Sequence, residues 1–398
     1  MALKDLSVMV VEDHGFQRRM ATRLLAELGV GTVFEAMDGQ SALDRLRACD
    51  QPPDIVLVDL DLPGMDGVEL IGHLAQEGLA HAVVVASALE PSLLGAVQSM
   101  TRAYGMRVLA NIEKPLTSAK LGEVLNSYST HEDELDPCEG VDCSRQSLLA
   151  ALDAGAIVPW FQPQVTLSNG HAVAVEALAR WVLPGGAVAR PAQFIPALER
   201  EGLIDRLTEC ILDGACAWKT RWAAAGLHLR VAVNVSPLCL TSAEVVETYL
   251  RIVRAHGVEP REVVLEITES SVMGEAAQAL KVLARLRLKG FGLSIDDFGT
   301  GYSSLSQLSQ IPFTELKIDR SFVSGAPRQP RRRAVVEASL ELARKLNLDM
   351  VGEGVETVEE WQMLADLGCA FAQGYLIGRP APGQQLPEVV AHWRRPQG

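Results

Sequence analysis

Aromatic side chains are scarce: Phe, Trp and Tyr together make up 5% of the 398 residues. Val, Leu, Ile and Ala therefore carry the apolar load, a composition suited to sheets covered on both faces by helices. Long apolar runs are missing too, since none reaches the roughly 20 residues that span a bilayer. The opening MALKDLSVMVVED lacks a secretory pattern, its short apolar stretch running straight into acids. Seven cysteines, an odd number scattered along the chain, do not make the framework of a secreted disulfide scaffold. Cys138 and Cys143 are the only close pair, and no second pair completes a zinc site. Positive charge is also in deficit: the formal net charge is −14, which opposes bulk attraction to nucleic acid or an anionic membrane. These absences lead us to expect a soluble cytoplasmic protein with no membrane insertion and no DNA partner. An anionic substrate stays open wherever a local site supplies metal ions or arginines.

What is present is a regular alternation. Hydrophobic residues form 48% of the chain, enough for two or three packed cores. Over residues 1–128, LSVMVV, TVFEA, DIVLVDL, AVVVASA and MRVLANI read as five strands. Segments such as FQRRMATRLLAEL between them have helical apolar spacing. This predicts a compact α/β unit on a parallel sheet. Residues 129–147 lack periodicity and are crowded with acids, so they are expected to be a linker. From 148 to 398, IVPWFQPQV, AVAVEALARW, LRVAVNVS, VVLEITES, FGLSIDDFG, ELKIDRSF, DMVGEGVE and CAFAQGYLIG alternate with amphipathic helices. Eight strands in about 250 residues predict a (β/α)₈ TIM-like barrel with parallel strands.

In that second unit the polar residues fall at telling places. Glu176, Asn234, Glu266, Asp296, Asp297, Lys317, Glu353 and Gln373 each lie at or near the end of an apolar strand. A parallel barrel gathers such ends around one pocket. By strand alternation Glu176, Leu178 and Arg180 share one face, as do Lys317 and Asp319. Asp296 and Asp297 are neighbours and would diverge in a regular strand; the glycines of DDFGTG are expected to supply the break that lets them converge. Several carboxylates with one amide make a hard-oxygen site for Mg²⁺ or Mn²⁺. Two such ions serve in-line displacement at phosphorus, with Lys317 orienting the attacking water and Glu353 as general base. Taken singly, each residue is better explained as a helix cap, a turn or a surface ion pair. Their joint occurrence on one rim outweighs that.

These residues resemble EAL-domain cyclic di-GMP phosphodiesterases from about 150 to 383. The motifs are EALARW at 176–181, FQP at 161–163, VNVS at 233–236, EITES at 266–270, DDFGTGYSSL at 296–305, KID at 317–319, EGVET at 353–357 and QGY at 373–375. The resemblance implies metal ligation by Glu176, Asn234, Glu266, Asp296, Asp297 and Glu353. It also implies Lys317 at the attacking water, Glu269 anchoring the DFGTG loop, and Glu356 supporting the site. Gln162, Arg180 and Gln373 match substrate-contacting positions. The implied reaction opens cyclic di-GMP to linear pGpG. Gln164 departs from the pattern, standing where an apolar residue is usual, and Gly352 replaces the common small residue before EGVET.

The first unit repeats the logic. Glu12 and Asp13 follow its first strand, Asp59 ends the third, Ser87 ends the fourth, and Lys114-Pro115 follows the fifth. Strand ends of an open parallel sheet bring these together. The set, with DLDLPGMDG, resembles a response-regulator receiver domain over residues 5–126. That implies one divalent ion on Glu12, Asp13 and Asp59, phosphoacceptance at Asp59 from a sensor histidine kinase, and switch roles for Ser87 and Lys114. Asn111 stands where receivers often carry an aromatic, and the stretch from Ser87 to Lys114 is longer than usual. An altered surface there suits a homo-oligomer, either dimer or tetramer. A cyclic di-GMP binding module without catalysis would require a missing ligand, and none is missing. A DNA-binding regulator would need a basic output helix, and a cyclase of the opposing pathway has no matching motif.

Overall fold

A computed structural model describes residues 3–49, 52–87, 107–131, 141–269, 276–300, 308 and 311–396. The chain divides into two compact units, Met1–Asp136 and Pro137–Gly398.

In the first unit, β1 (Ser7–Val11), β2 (Thr32–Ala36), β3 (Ile55–Asp59), β4 (Ala82–Ser87) and β5 (Arg107–Glu113) form one sheet in the order β2-β1-β3-β4-β5. All its neighbours are parallel. Each strand of β1 and β3 divides its side chains between two apolar clusters. Met9, Val11, Val56 and Val58 pack with Leu43 and Leu70, whereas Val8, Val10, Ile55 and Leu57 pack with Leu25 and Leu121. That division requires helices on both faces, and β3 is accordingly buried throughout. Two helix starts are written locally: Asp38 accepts from Ser41 N–H and Asp66 from Glu69 N–H. The long stretch expected ahead of Lys114 falls largely in 88–106, outside the described residues.

The aperiodic connector is shorter than its composition suggested. One helix runs through Ser118–His131, and the next, Arg145–Asp153, starts inside it because Ser144 caps its N-terminus. Cys138 lies outside the described residues; Cys143 donates to Gln193 O at 3.3 Å.

The second unit is a closed barrel. Its staves are β6 (Ile157–Thr166), β7 (Ala172–Val182), β9 (Arg230–Asn234), β10 (Val263–Thr268), β11 (Gly292–Phe298), β12 (Glu315–Ile318), β13 (Asp349–Gly352) and β14 (Phe371–Gln373). The short β8 (Val188–Ala189) and β15 (Ala381–Pro382) add to β7 and β6. One stave departs from the parallel barrel expected: β6 runs antiparallel to both β7 and β14. The cause is local. Residues 167–171 are too few for a crossover, which takes a dozen or more. The chain instead turns back at Asn169-Gly170, where Gly170 has φ 75° and its N–H donates to Thr166 O at 2.8 Å. Outward-facing Leu265, Ile267, Leu293, Ile295, Leu316 and Ile318 join the core beneath the helices, which leaves the alternate positions to face the barrel interior. Among the described residues no helix is long and apolar enough to cross a membrane.

Candidate active site

The inward positions are where the barrel carries charge. Lys317, in the middle of β12, is fully buried. Its ammonium lies 2.7 Å from Glu353 Oε1, 2.9 Å from Glu266 Oε1, 3.3 Å from Glu176 Oε2 and 3.4 Å from Asp296 Oδ1. Three strands, β7, β10 and β11, and the residue just past β13 thus converge on the one ammonium carried by β12. Glu176 is central in its long strand rather than at its end, and the hairpin brings Gln162 level with it in register.

Asp296 and Asp297 converge by a route the sequence did not reveal. The break falls on Asp297 itself, which adopts φ 54°, and the β11–β12 register shifts between Ile295 and Phe298. The left-handed turn and bulge bring two consecutive side chains to one side. Oxygens of Asp296, Asp297 and Glu353 all lie within 4.8 Å of one another. Gly299, expected as the breaker, follows the turn, and its N–H donates to Glu269 Oε2 at 2.8 Å. Residues 301–305 of the DDFGTGYSSL motif lie outside the described residues.

Electrostatics reflect the crowding. Burial lowers an ammonium, but the four acids outweigh it and hold Lys317 well above the usual lysine range. Burial raises Glu353 to about 8, with Asp296 and Glu176 adding to it against Lys317. Asp297 is raised to about 6 by burial and by Asp296 and Asp319. Burial and the charge of Glu176 push Glu266 well above its normal value. Glu176 goes the other way: burial would raise it, but Lys317 and hydrogen bonds from Gln373 and Asn234 hold it below the carboxylate range.

These residues fit a divalent cation. Glu266 is 1% exposed, and apart from the Lys317 ammonium at Oε1 its carboxylate has no hydrogen-bond partner among the described residues. That ammonium, 2.9 Å from Oε1, is shared with three other acids. A buried carboxylate so thinly compensated is costly, and one ammonium among five acids leaves negative charge to neutralise. The donors are carboxylates and the amide of Asn234, the set Mg²⁺ and Mn²⁺ prefer. Asn234 Nδ2 donates to Glu176 Oε1 at 2.8 Å, which leaves its amide oxygen available to a cation.

Above the acids lies a cavity of about 210 Å³ lined by Gln162, Glu176, Leu178, Glu353, Glu356 and Gln373 among others. Arg320 and Tyr375 also line it, and neither was singled out in the sequence. A larger apolar cavity of about 440 Å³ adjoins at Leu178 and includes Asn234. Arg180 does not line the smaller cavity; its guanidinium lies 5.8 Å over the Trp160 ring and donates to Ala179 O. Glu356 is exposed, 3.8 Å from Arg320. Asp319 caps the helix Arg320–Val323, accepting from Ser321 N–H at 2.9 Å.

In the first unit, oxygens of Glu12, Asp13 and Asp59 lie within 4.8 Å of one another. Lys114 Nζ donates to Glu12 Oε2 at 2.7 Å and to Asp59 Oδ2 at 2.5 Å. Burial would lower Lys114, yet these two acids raise it. Ser87 is the last residue of β4, in register with Glu113 of β5.

Comparison with known proteins agrees with this geometry. The family model "EAL domain" matches residues 145–380 and "Response regulator receiver domain" matches 8–126. Cyclic di-GMP phosphodiesterase RocR of Pseudomonas aeruginosa is 35% identical over 386 residues, covering 96% of this chain and 98% of that protein. The bifunctional diguanylate cyclase/cyclic di-GMP phosphodiesterase MucR of the same organism is 42% identical over 61% of this chain and 36% of its own length. A solved structure of the PaMucR phosphodiesterase in a c-di-GMP complex superposes with a TM-score of 0.58 at 42% identity, over 61% of this chain and 98% of that one. A barrel with one reversed stave, acids around a buried lysine, and an acidic trio at the C-terminal ends of two inner strands of a parallel five-stranded sheet have the same explanation: this chain belongs to the EAL domain family and carries a response-regulator receiver domain ahead of its barrel.

Proposed function

We propose that the protein is a response regulator whose barrel hydrolyses cyclic di-GMP to linear pGpG with divalent metal ions. The observation that supports this most directly is the buried Lys317 ammonium among four carboxylates beneath an open cavity. Glu176, Asn234, Glu266, Asp296, Asp297 and Glu353 are the residues that would hold two ions. Mg²⁺ or Mn²⁺ there supplies the charge that acidifies water and stabilises both oxygens of an in-line displacement at phosphorus. Glu353 takes the proton of the attacking water. Lys317 orients that water and offsets the charge growing on the phosphoryl oxygens. As the water oxygen bonds to phosphorus, the bond from phosphorus to one ribose 3′-oxygen breaks; that oxygen takes a proton from solvent, leaving a 3′-hydroxyl and a 5′-phosphate. Gln162, Leu178 and Gln373 shape the wall against which the dinucleotide lies, Arg180 reaches it by leaving the Trp160 ring, Glu269 anchors the loop after β11, and Asp319 and Glu356 support the rim. The test is chromatography of cyclic di-GMP incubated with the full chain. We expect pGpG with Mg²⁺ or Mn²⁺ and none in EDTA. Tight nucleotide binding without product under either metal would instead favour a receptor.

The receiver reading carries its own expectation. Glu12, Asp13 and Asp59 hold one divalent ion, Asp59 accepts phosphate from a sensor histidine kinase, and Lys114 pairs with the acyl phosphate, with Ser87 as its hydroxyl partner. With acetyl phosphate and Mg²⁺, a phosphate-retarding gel should show a slower species that Asp59→Asn abolishes. An equal shift in the variant would remove Asp59 from the role. We place the protein in the cytoplasm as a homo-oligomer, which light scattering on the eluted protein checks.

A further inference from the structure

The acids are not the only polar groups inside the barrel. Gln164, the polar residue at an otherwise apolar position of β6, is 1% exposed, and Gln373 of β14 is 4% exposed. The two are register partners across the antiparallel β6–β14 pair, so the reversed stave is what sets them face to face. Gln164 Nε2 donates to Gln373 Oε1 at 2.8 Å. Gln373 Nε2 donates in turn to Glu176 Oε2 at 2.6 Å and to Gln162 Oε1 at 3.2 Å. Gln162 Nε2 ends the row on Gly378 O at 3.0 Å.

The direction of this row follows from its one charged member. An ionised carboxylate only accepts hydrogen bonds, so the amide facing Glu176 must present its NH₂ group. Both hydrogens of Gln373 Nε2 are then used, one on Glu176 and one on Gln162. Its carbonyl necessarily points the opposite way, into the barrel interior, where a buried acceptor needs a donor. Gln164 is that donor. With an apolar residue there, the Gln373 carbonyl has lost its partner, and turning the amide over would set oxygen against the Glu176 carboxylate. Either outcome weakens the grip on Glu176.

We propose that Gln164 is a positioning residue, acting through Gln373 to hold the Glu176 carboxylate in the orientation that binds the divalent ion. This rests on the reading of Glu176 as a ligand. It extends that reading to a residue two hydrogen bonds away that touches neither ion nor substrate. Groups that orient a metal ligand directly are worth about 10–100-fold in affinity; one step further out, a loss of about tenfold is expected.

The test is calorimetric titration of Mn²⁺ into the full chain, stripped with chelator and dialysed and carrying Asp13→Asn and Asp59→Asn throughout so that only the barrel takes up the ion, for the otherwise wild-type barrel, Gln164→Leu, Gln164→Met, Gln373→Leu and the Gln164→Leu/Gln373→Leu double variant. Leu and Met fill the volume of Gln without a donor, and unchanged thermal melting in EDTA identifies the folded variants. We expect both Gln164 variants to bind Mn²⁺ about tenfold more weakly and Gln373→Leu to lose at least as much. The double variant should be no weaker than Gln373→Leu alone, because Gln164 has nothing left to act on. Wild-type affinity in the folded Gln164 variants, or losses that multiply in the double variant, would overturn the inference and leave the catalytic reading intact. An otherwise wild-type barrel that takes up no Mn²⁺ would remove both.

Discussion

Lys317→Ala and Glu353→Ala should both abolish turnover of cyclic di-GMP, at least about a thousandfold in kcat, while moving the stability of the metal-free protein in opposite directions. Lys317 is the one cation among the described residues that contacts Glu176, Glu266, Asp296 and Glu353. Removing one partner of a buried ionic cluster leaves uncompensated charge and costs about 3–5 kcal/mol. In a unit of this size that is roughly 10 °C of melting temperature. The loss should be large in EDTA and much smaller with Mn²⁺, because a divalent ion neutralises the same acids. Glu353 is the reverse case. Its carboxyl is already pushed up to about 8, so its ionised form is disfavoured where it stands, and alanine there relieves crowding. The Glu353→Ala protein in EDTA should melt at or above the wild-type temperature. Parallel melting curves with and without Mn²⁺ decide the matter. Equal destabilisation by both substitutions would mean that Glu353 serves the fold through its bond to Lys317 rather than burdening it.

How much of this was legible in the sequence differs by kind of feature. Elements whose signal is local could be read: β3 is a continuous apolar run ending on Asp59, and its complete burial follows from that run. Polar residues embedded in apolar strands were legible as a set, since Glu266 or Lys317 inside such a strand demands a partner that only the barrel interior supplies. Direction was harder. The hairpin between β6 and β7 is marked only by the short connection and Asn169-Gly170, whereas eight apolar runs with intervening helices carry the pattern of parallel staves. The left-handed backbone at Asp297 has no such signature, because Asp is only occasionally held at φ 54° and tertiary contacts decide it. Arg320 and Tyr375 line the cavity from positions just past strand ends, where nothing in the spacing separates them from ordinary surface residues. Gln164 stood out in the sequence only as an oddity. Its meaning needed the register that puts it opposite Gln373.

The same crowding makes the stability of the metal-free protein fall as pH rises, contrary to the usual behaviour of carboxylates. A carboxyl with a raised folded-state pKa binds a proton in the folded protein that it has already lost in the unfolded chain. Stability therefore declines from the unfolded value up to the folded one. For Glu353 that window runs from 4.5 to about 8, and for Asp297 from 3.8 to about 6. Glu266 acts in the same direction. Glu176 opposes them, but its pKa is lowered, so its contribution is complete above 4.5 and lost only below it. Lys317 is raised above 10.5 and keeps its charge throughout this range. Between pH 5.5 and 8.5 the EDTA-treated barrel should thus lose stability, on the order of a few kcal/mol. Divalent ions reverse the slope. Ligands must be deprotonated to bind, so binding expels those protons, affinity rises with pH, and stabilisation grows as RT ln(1 + [L]/Kd). Melting temperatures at fixed ionic strength, with EDTA or with millimolar Mn²⁺, should nearly coincide at pH 5.5 and diverge by roughly 10 °C or more at pH 8.5. Calorimetric titration at pH 7 in buffers of different ionisation enthalpy should show net proton release per Mn²⁺ bound. A metal-free melting temperature that is flat or rises across this range would mean that the acids are not held together against their charge. The barrel would then contain a set of ordinary ion pairs with no need for a cation.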